Sequence, residues 1–260
     1  MLALFWLIEH TELFFPVLLV GLVLTVEAGS RLRHVSPGID EERQSLIESA
    51  RDGLSVLLSL LLGFSLPMAV PHFEQRNQLT TDEADAITTV EQRAQILPEP
   101  FRTKILQLLR EYVDARIEFG KHLNQSELEK SIAHAQHLQN EMWQQSVMLA
   151  QHDLNLLTPP FIQAVGTLAD LSEQRVAAEE KRIPGQIWLV LVLVSVLACF
   201  VVGYSMPRRL WLAVFVLPLT VAIVLSLLSE LDNPRTGFIR SSQQSMERLQ
   251  VTLEEEVAPR

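Results

Sequence analysis

Two of the seven histidines in this chain stand close enough to share a metal ion. His134, His137 and Glu141 follow one another at i, i+3 and i+7, which on a helix gives three first-row metal ligands on one side. They sit in a glutamine-rich stretch, AHAQHLQNEMWQQ, where solvated side chains reach that spacing by chance. A second group of chemical interest is the charged run Glu74, Arg76, Asp82, Glu83 and Asp85, which follows an apolar block. Its ordinary reading is an ion-paired face. Glu83 and Arg175 lie about three turns from their neighbouring apolar blocks, so two adjacent helices would bring them to similar heights as a pair. No nucleophile elbow, phosphate loop or zinc-protease helix is present, so neither an enzyme nor a cofactor is expected. Cys199 is the single cysteine and cannot close an internal disulfide. A net charge of −10 argues against a nucleic-acid partner.

The elements that must position these groups are dominated by four apolar blocks. They cover Leu13–Ala28, Leu54–Val70, Ile187–Tyr204 and Leu210–Leu228. Each approaches the roughly 20 residues that a bilayer core demands. Trp188 and Tyr204 bracket the third block, as interfacial aromatics do, and Phe5 and Trp6 are placed to anchor the N-terminal approach. Only Ser205–Arg209 joins the third and fourth blocks, which predicts a tight antiparallel hairpin. No secretory signal pattern precedes the first block. The positive-inside rule, applied to Arg31, Arg33, Arg208 and Arg209, puts both short connections in the cytoplasm and the middle of the chain outside it. Lys181, Arg182, Arg235 and Arg240 flank the opposite side.

Between the second and third blocks the chain is polar and carries no alternating strand pattern. Prolines at 98, 100, 159 and 160 divide it into about four helices. One continues the second block outward over His72–Leu97. A second, Phe101–Leu123, places Phe101, Ile105, Leu108, Tyr112 and Ala115 on one stripe. A third begins at Ser126, where SELE reads as a capping box, and repeats Leu128, Ala135, Met142 and Leu149 every seven residues. The fourth, Phe161–Lys181, is expected to run through Pro184 into the third block. The expectation is an all-α protein with four transmembrane helices and an extramembrane helical bundle. Residues 1–70 form the first two spans with their connection, 71–183 the bundle, 184–230 the hairpin and 231–260 a tail.

Within the second block two stripes run at four-residue steps. Ser55, Ser59, Gly63 and Pro67 are small and suit close helix–helix approach. One position on, Val56, Leu60, Phe64 and Met68 form a larger apolar stripe that suits packing or lipid contact.

Four stretches together resemble a known family. LLGF followed by RNQLTTDEADAI, then LPEPFRTKILQLLREYVDARI, EQRVAAEEKRIPGQIW and LDNPRTGFIRSSQQ look like the bestrophin-like domain family of bacterial membrane proteins. In those stretches Arg76, Glu83, Arg175 and Asp232 are the polar residues that carry the likeness. The resemblance implies a bacterial inner-membrane protein embedded in lipid. It further implies a homo-oligomer, a pentamer by analogy with bestrophins, conducting monovalent ions through an apolar neck. The matching neck positions are Val56, Leu60 and Phe64. The acidic calcium-clasp run of animal bestrophins is missing, so calcium gating is not expected. The alternative is a membrane-anchored sensory or interaction module without a pore.

Overall fold

The computed structural model describes residues 7, 10–35, 40–121, 125–152, 156–206, 211–233 and 242–255. Among the described residues all regular structure is helical, in eight main helices. These are α1 (Thr11–Val35), α2 (Glu41–Ala94), α3 (Phe101–Phe119), α4 (Gln125–His152), α5 (Thr158–Glu180), α6 (Gly185–Ser205), α7 (Trp211–Asp232) and α8 (Gln244–Glu255). Four stretches are long and apolar enough to cross a membrane, within α1, α2, α6 and α7. Phe5, Trp6, Arg208, Arg209, Arg235 and Arg240, invoked above for anchoring and orientation, lie outside the described residues.

The chain divides into two compact units. Unit 1 comprises Met1–Phe73 and Arg182–Arg240; unit 2 comprises Glu74–Lys181 and Ser241–Arg260. In unit 1, α1 buries Phe14, Leu18, Leu22 and Val26, one residue per turn, against α6 and α7. The predicted α6–α7 hairpin contact is brief, because α1 makes the principal contact with both helices. Two glycines set how close α1 and α6 come. A β-carbon at Gly203 would strike the Val26 carbonyl oxygen, and one at Gly29 would strike that of Phe200. Small residues that allow such an approach are how apolar helices associate where no hydrophobic driving force separates them. The outward side chains of unit 1 are apolar too: Val17, Val20 and Leu24 on α1, Leu193 and Leu197 on α6, and Phe215, Leu219 and Ile223 on α7 are all exposed. A surface that greasy belongs in lipid.

In unit 2 the predicted stripes form one core. Ile87, Val90 and Ala94 of α2 meet Ile105, Leu108 and Tyr112 of α3, Ala135, Met142 and Leu149 of α4, and Phe161, Val165 and Leu168 of α5. Leu138 and the buried Ser131 complete the seam of α4. α4 begins at Gln125, one residue before the expected cap at Ser126.

α1 continues to Val35 and α2 starts at Glu41, so most of the connection between the first two spans is helical. Two expectations need correction. The helix expected to run from Phe161 into the third block breaks at Lys181–Pro184, where Lys181 (φ −68°, ψ 114°) and Pro184 (φ −54°, ψ 134°) are extended. Proline has no N–H to continue the ladder and disfavours helical geometry in the residue before it. The freed Ile183 N–H donates instead to Asp232 at 2.7 Å. Finally, residues 231–260 are not a detached tail, since Met246, Leu249 and Leu253 of α8 enter the core of unit 2.

Candidate functional site

In unit 1 the apolar stripe of the second span is uncovered. Val56, Leu60 and Phe64 are 68%, 52% and 64% exposed, too open for core residues. α2 packs within its unit through other positions, Leu54, Leu58, Leu61, Leu62 and Ala69, on the same apolar cluster as α1, α6 and α7. The small stripe is largely uncovered as well. Ser59, Gly63 and Pro67 are exposed and Ser55 is half-buried. A β-carbon on Gly63 would meet nothing. The intrachain contact is made by these leucines and Ala69, and the small residues stay uncovered beside the apolar stripe.

Polar backbone is exposed on that face. α2 carries Pro67 and Pro71 without a break in the helix. Each lacks the N–H that would receive the carbonyl four residues earlier, so Gly63 and Pro67 lose their i+4 donors. The Ser55 and Ser59 hydroxyls, by contrast, are satisfied on their own helix, donating to the carbonyls of Arg51 (2.8 Å) and Ser55 (2.9 Å).

Unit 2 holds a buried ionic cluster around Glu83. Arg116 grips its carboxylate with two nitrogens, Nε at 2.7 Å and Nη2 at 3.0 Å. Arg175 donates from Nη1 at 2.8 Å, so the pair expected from register is present. The Tyr112 hydroxyl donates at 2.5 Å and itself accepts from Gln139 Nε2 at 3.0 Å. Arg175 Nη2 reaches Gln243 Oε1 at 2.9 Å, and Gly120 leaves the room that the Gln243 side chain occupies. Both guanidiniums lie over the Phe119 ring, 4.5 Å and 5.3 Å from its centroid. Glu83, Tyr112, Arg116 and Arg175 are all buried.

Burial alone would push the Glu83 carboxyl up. The guanidiniums of Arg116 and Arg175 outweigh that and hold it below the ordinary 4.5. Burial, with the Glu83 charge beside it, pushes the Tyr112 phenol well above its ordinary value. Arg175 moves down through burial, with Arg116 repelling it, but a guanidinium stays charged throughout. Two cations on one carboxylate make this a charged core that loses much if any member is removed.

Arg76 is also buried, two turns before Glu83 on α2. In unit 1, Asp232 accepts from the Ile183 N–H and from the Trp188 indole at 3.2 Å, fixing the start of α6 to the end of α7. Trp188 meets Phe14 edge-on at 5.8 Å. The sequence reading had missed Arg116 and Gln243 and had placed Tyr112 only as a core residue. The signal was there for Arg116: it continues the buried stripe Ile105, Leu108, Tyr112 by one more turn, and a charge on an apolar stripe needs a buried partner. The metal candidate does not assemble. His137 lies 3.1 Å from Glu141, whose other neighbour is the Lys104 ammonium, and no group of three possible ligands occurs among the described residues. A lysine beside the acid supplies the opposing charge that a metal would have brought.

The four sequence stretches that carried the family resemblance converge in these two clusters. They supply Glu83, then Tyr112 and Arg116, then Arg175 with Ile183 and Trp188, then Asp232 with Gln243. The second and fourth stretches also meet the first directly or through them: Asn77 accepts from the Ser242 N–H at 2.9 Å.

Comparison with known proteins agrees. The model of the bestrophin-like domain matches residues 17–246. Among solved structures, a bacterial bestrophin homologue from Klebsiella pneumoniae superposes with a TM-score of 0.67 at 14% identity, covering 94% of this chain and 97% of that one. A point variant of the Klebsiella homologue gives 0.68 at 16% identity, over 93% and 96%. At that identity the likeness is one of fold. No curated protein matches in sequence. With the domain match spanning most of its length and four apolar helices to cross the bilayer, the chain is a multi-pass membrane protein that belongs to the bestrophin-like family.

Proposed function

We propose that this protein is a subunit of a homo-oligomeric ion channel in the bacterial inner membrane, with α2 lining the pathway. One observation carries the reading. The face of α2 that bears Val56, Leu60 and Phe64 is exposed in the single chain, and beside it Pro67 and Pro71 deprive the Gly63 and Pro67 carbonyls of their helical donors. Unsatisfied carbonyls are costly against lipid and are tolerated where they line water or protein. A ring of copies supplies both. Ser59 and Gly63 let a neighbouring helix approach, and the apolar stripe forms a neck that gates by dewetting. Monovalent ions are the expected cargo, and a pentamer is the expected ring by analogy. Unit 2 lies in water, on the extracytoplasmic side by the positions of Arg31 and Arg33.

Reconstituted in liposomes, Phe64→Ala should pass monovalent ions faster than the parent, because the neck widens. Leu24→Ala, on the exposed face of α1, should leave flux unchanged. Absence of flux from folded parent and Phe64→Ala alike would overturn the channel and support the pore-free module instead.

A further inference from the structure

Between α4 and α5 of unit 2 lies a cavity of about 320 Å³, at the small end of ligand pockets. Its floor is the core itself, Met142 and Leu168, and its rim is polar: Gln136, Gln139, Asn140, Trp143 and Glu173. No lysine, arginine or histidine lines it. Among the described residues, Gln136, Asn140, Glu173 and the Trp143 indole N–H make no hydrogen bond or ion pair. Gln139 alone is committed, donating to Tyr112, so the inner wall of the pocket touches the group that bonds Glu83.

We infer that this pocket binds a small organic cation through an ammonium group. The argument is one of chemical match. The face of an indole attracts a cation and is the strongest side-chain ring in doing so. Glu173 supplies the opposing charge and a charge-assisted hydrogen bond. The carboxamide oxygens of Gln136 and Asn140 accept further N–H or O–H groups. An anion would meet a carboxylate and find no base. A neutral polyol would satisfy the amides while leaving the carboxylate without a counter-charge. The ligand has to be small, because a volume of this size holds only a few heavy-atom groups beside the ring. This inference is independent of the channel reading, since binding is measured without ion flow.

Full-length protein in detergent should bind ethanolamine and putrescine by isothermal titration with dissociation constants of about 1 mM or tighter. Glu173→Gln and Trp143→Ala should each weaken binding by about tenfold or more, which is the discrimination expected from a lost ion pair or ring contact. Both side chains sit on the rim, so the variants should keep the parent's circular dichroism. Glu129→Gln, elsewhere on α4, should bind as the parent does. Repeating the titration in nanodiscs with and without phosphatidylethanolamine separates two sources of the ammonium: competition by the lipid assigns a headgroup, and its absence assigns a free amine. Failure of both probes to bind at about 10 mM, equal binding of sorbitol, or unchanged affinity in Glu173→Gln would overturn the inference.

Discussion

In unit 1 the residues that bring helices closest are glycines, Gly29 and Gly203, each facing a backbone carbonyl across the α1–α6 contact. In unit 2 a carboxylate and two guanidiniums join α2, α3 and α5 across a buried core. With unit 2 placed in water, as proposed, the contrast follows from solvent. Lipid tails are as apolar as leucine, so burying leucine gains little in a bilayer, and helices there are fixed by shape. In water the apolar core already drives collapse, and a satisfied ionic cluster can specify which helices meet at what register. Each unit should therefore fail by its own mechanism.

The largest effect should come from Glu83→Ala, which removes the carboxylate that Arg116 and Arg175 share and leaves Glu179 as the remaining negative charge acting on both. Breaking a buried ion pair costs about 3–5 kcal/mol, and two cations that lose their shared partner belong at the upper end. Unfolding of the full chain in detergent should show that loss in unit 2. A triple variant, Glu83→Leu with Arg116→Met and Arg175→Met, should recover most of it, because an apolar core of similar volume needs no charges. If the triple variant is as unstable as Glu83→Ala, the cluster contributes stability beyond its own charge balance.

Next comes Gly203→Val in unit 1. The new side chain strikes the Val26 carbonyl, and backbone cannot yield as a side chain can. A cost of about 2–4 kcal/mol is expected. The matched control is Gly21→Val on α1, which meets nothing within the chain. Equal destabilisation by the two variants would show that the approach of α1 and α6 at Gly203 is no tighter than an open helix face.

How much of this was legible beforehand depends on range. The four spans could be read because a bilayer imposes a length and an apolar run displays it, as Leu54–Val70 does. The stripes of α3 and α4 could be read because buried residues recur with the helical period. The break before α6 could not. Pro184 hinted at it, but the outcome turned on Asp232, far away in sequence, being ready to accept the Ile183 N–H. Glu83 and Arg175 were paired from register alone, whereas Gln243 lies in a segment with no periodicity to place it. The partner of the small stripe on α2 could not be read for a different reason. Sequence marks a face as suited to close approach but does not choose between a helix of the same chain and one of another copy.

The charged cluster should also give unit 2 a pH dependence of its own. Glu83 has a folded pKa below its ordinary 4.5. Its contribution is therefore fully present above about 4.5 and is lost as pH falls through the lower folded value. Melting followed by circular dichroism should show the parent losing stability below pH 4.5 more steeply than Glu83→Gln, which has no proton to take up there. Parallel curves for the two would mean that Glu83 is not the group responsible.

The smallest effect is the sharpest check on where unit 2 keeps its useful charge. Lys104 and Glu141 lie 3.7 Å apart on α3 and α4, both partly exposed to solvent. Their geometry resembles that of a stabilising bridge, and a count of ion pairs would rank it beside Arg175–Glu83. The solvent decides otherwise. At the surface two long side chains give up conformational freedom for an attraction that water and salt screen, and such pairs contribute about 0–1 kcal/mol. Lys104→Ala should thus shift stability by no more than about 0.5 kcal/mol, with that small difference vanishing in high salt. Arg175→Ala under the same conditions should remain strongly destabilising at every salt concentration, because ions cannot enter a sealed core. A salt-sensitive loss of several kcal/mol for Lys104→Ala would place the electrostatic support of unit 2 on its surface rather than around Glu83.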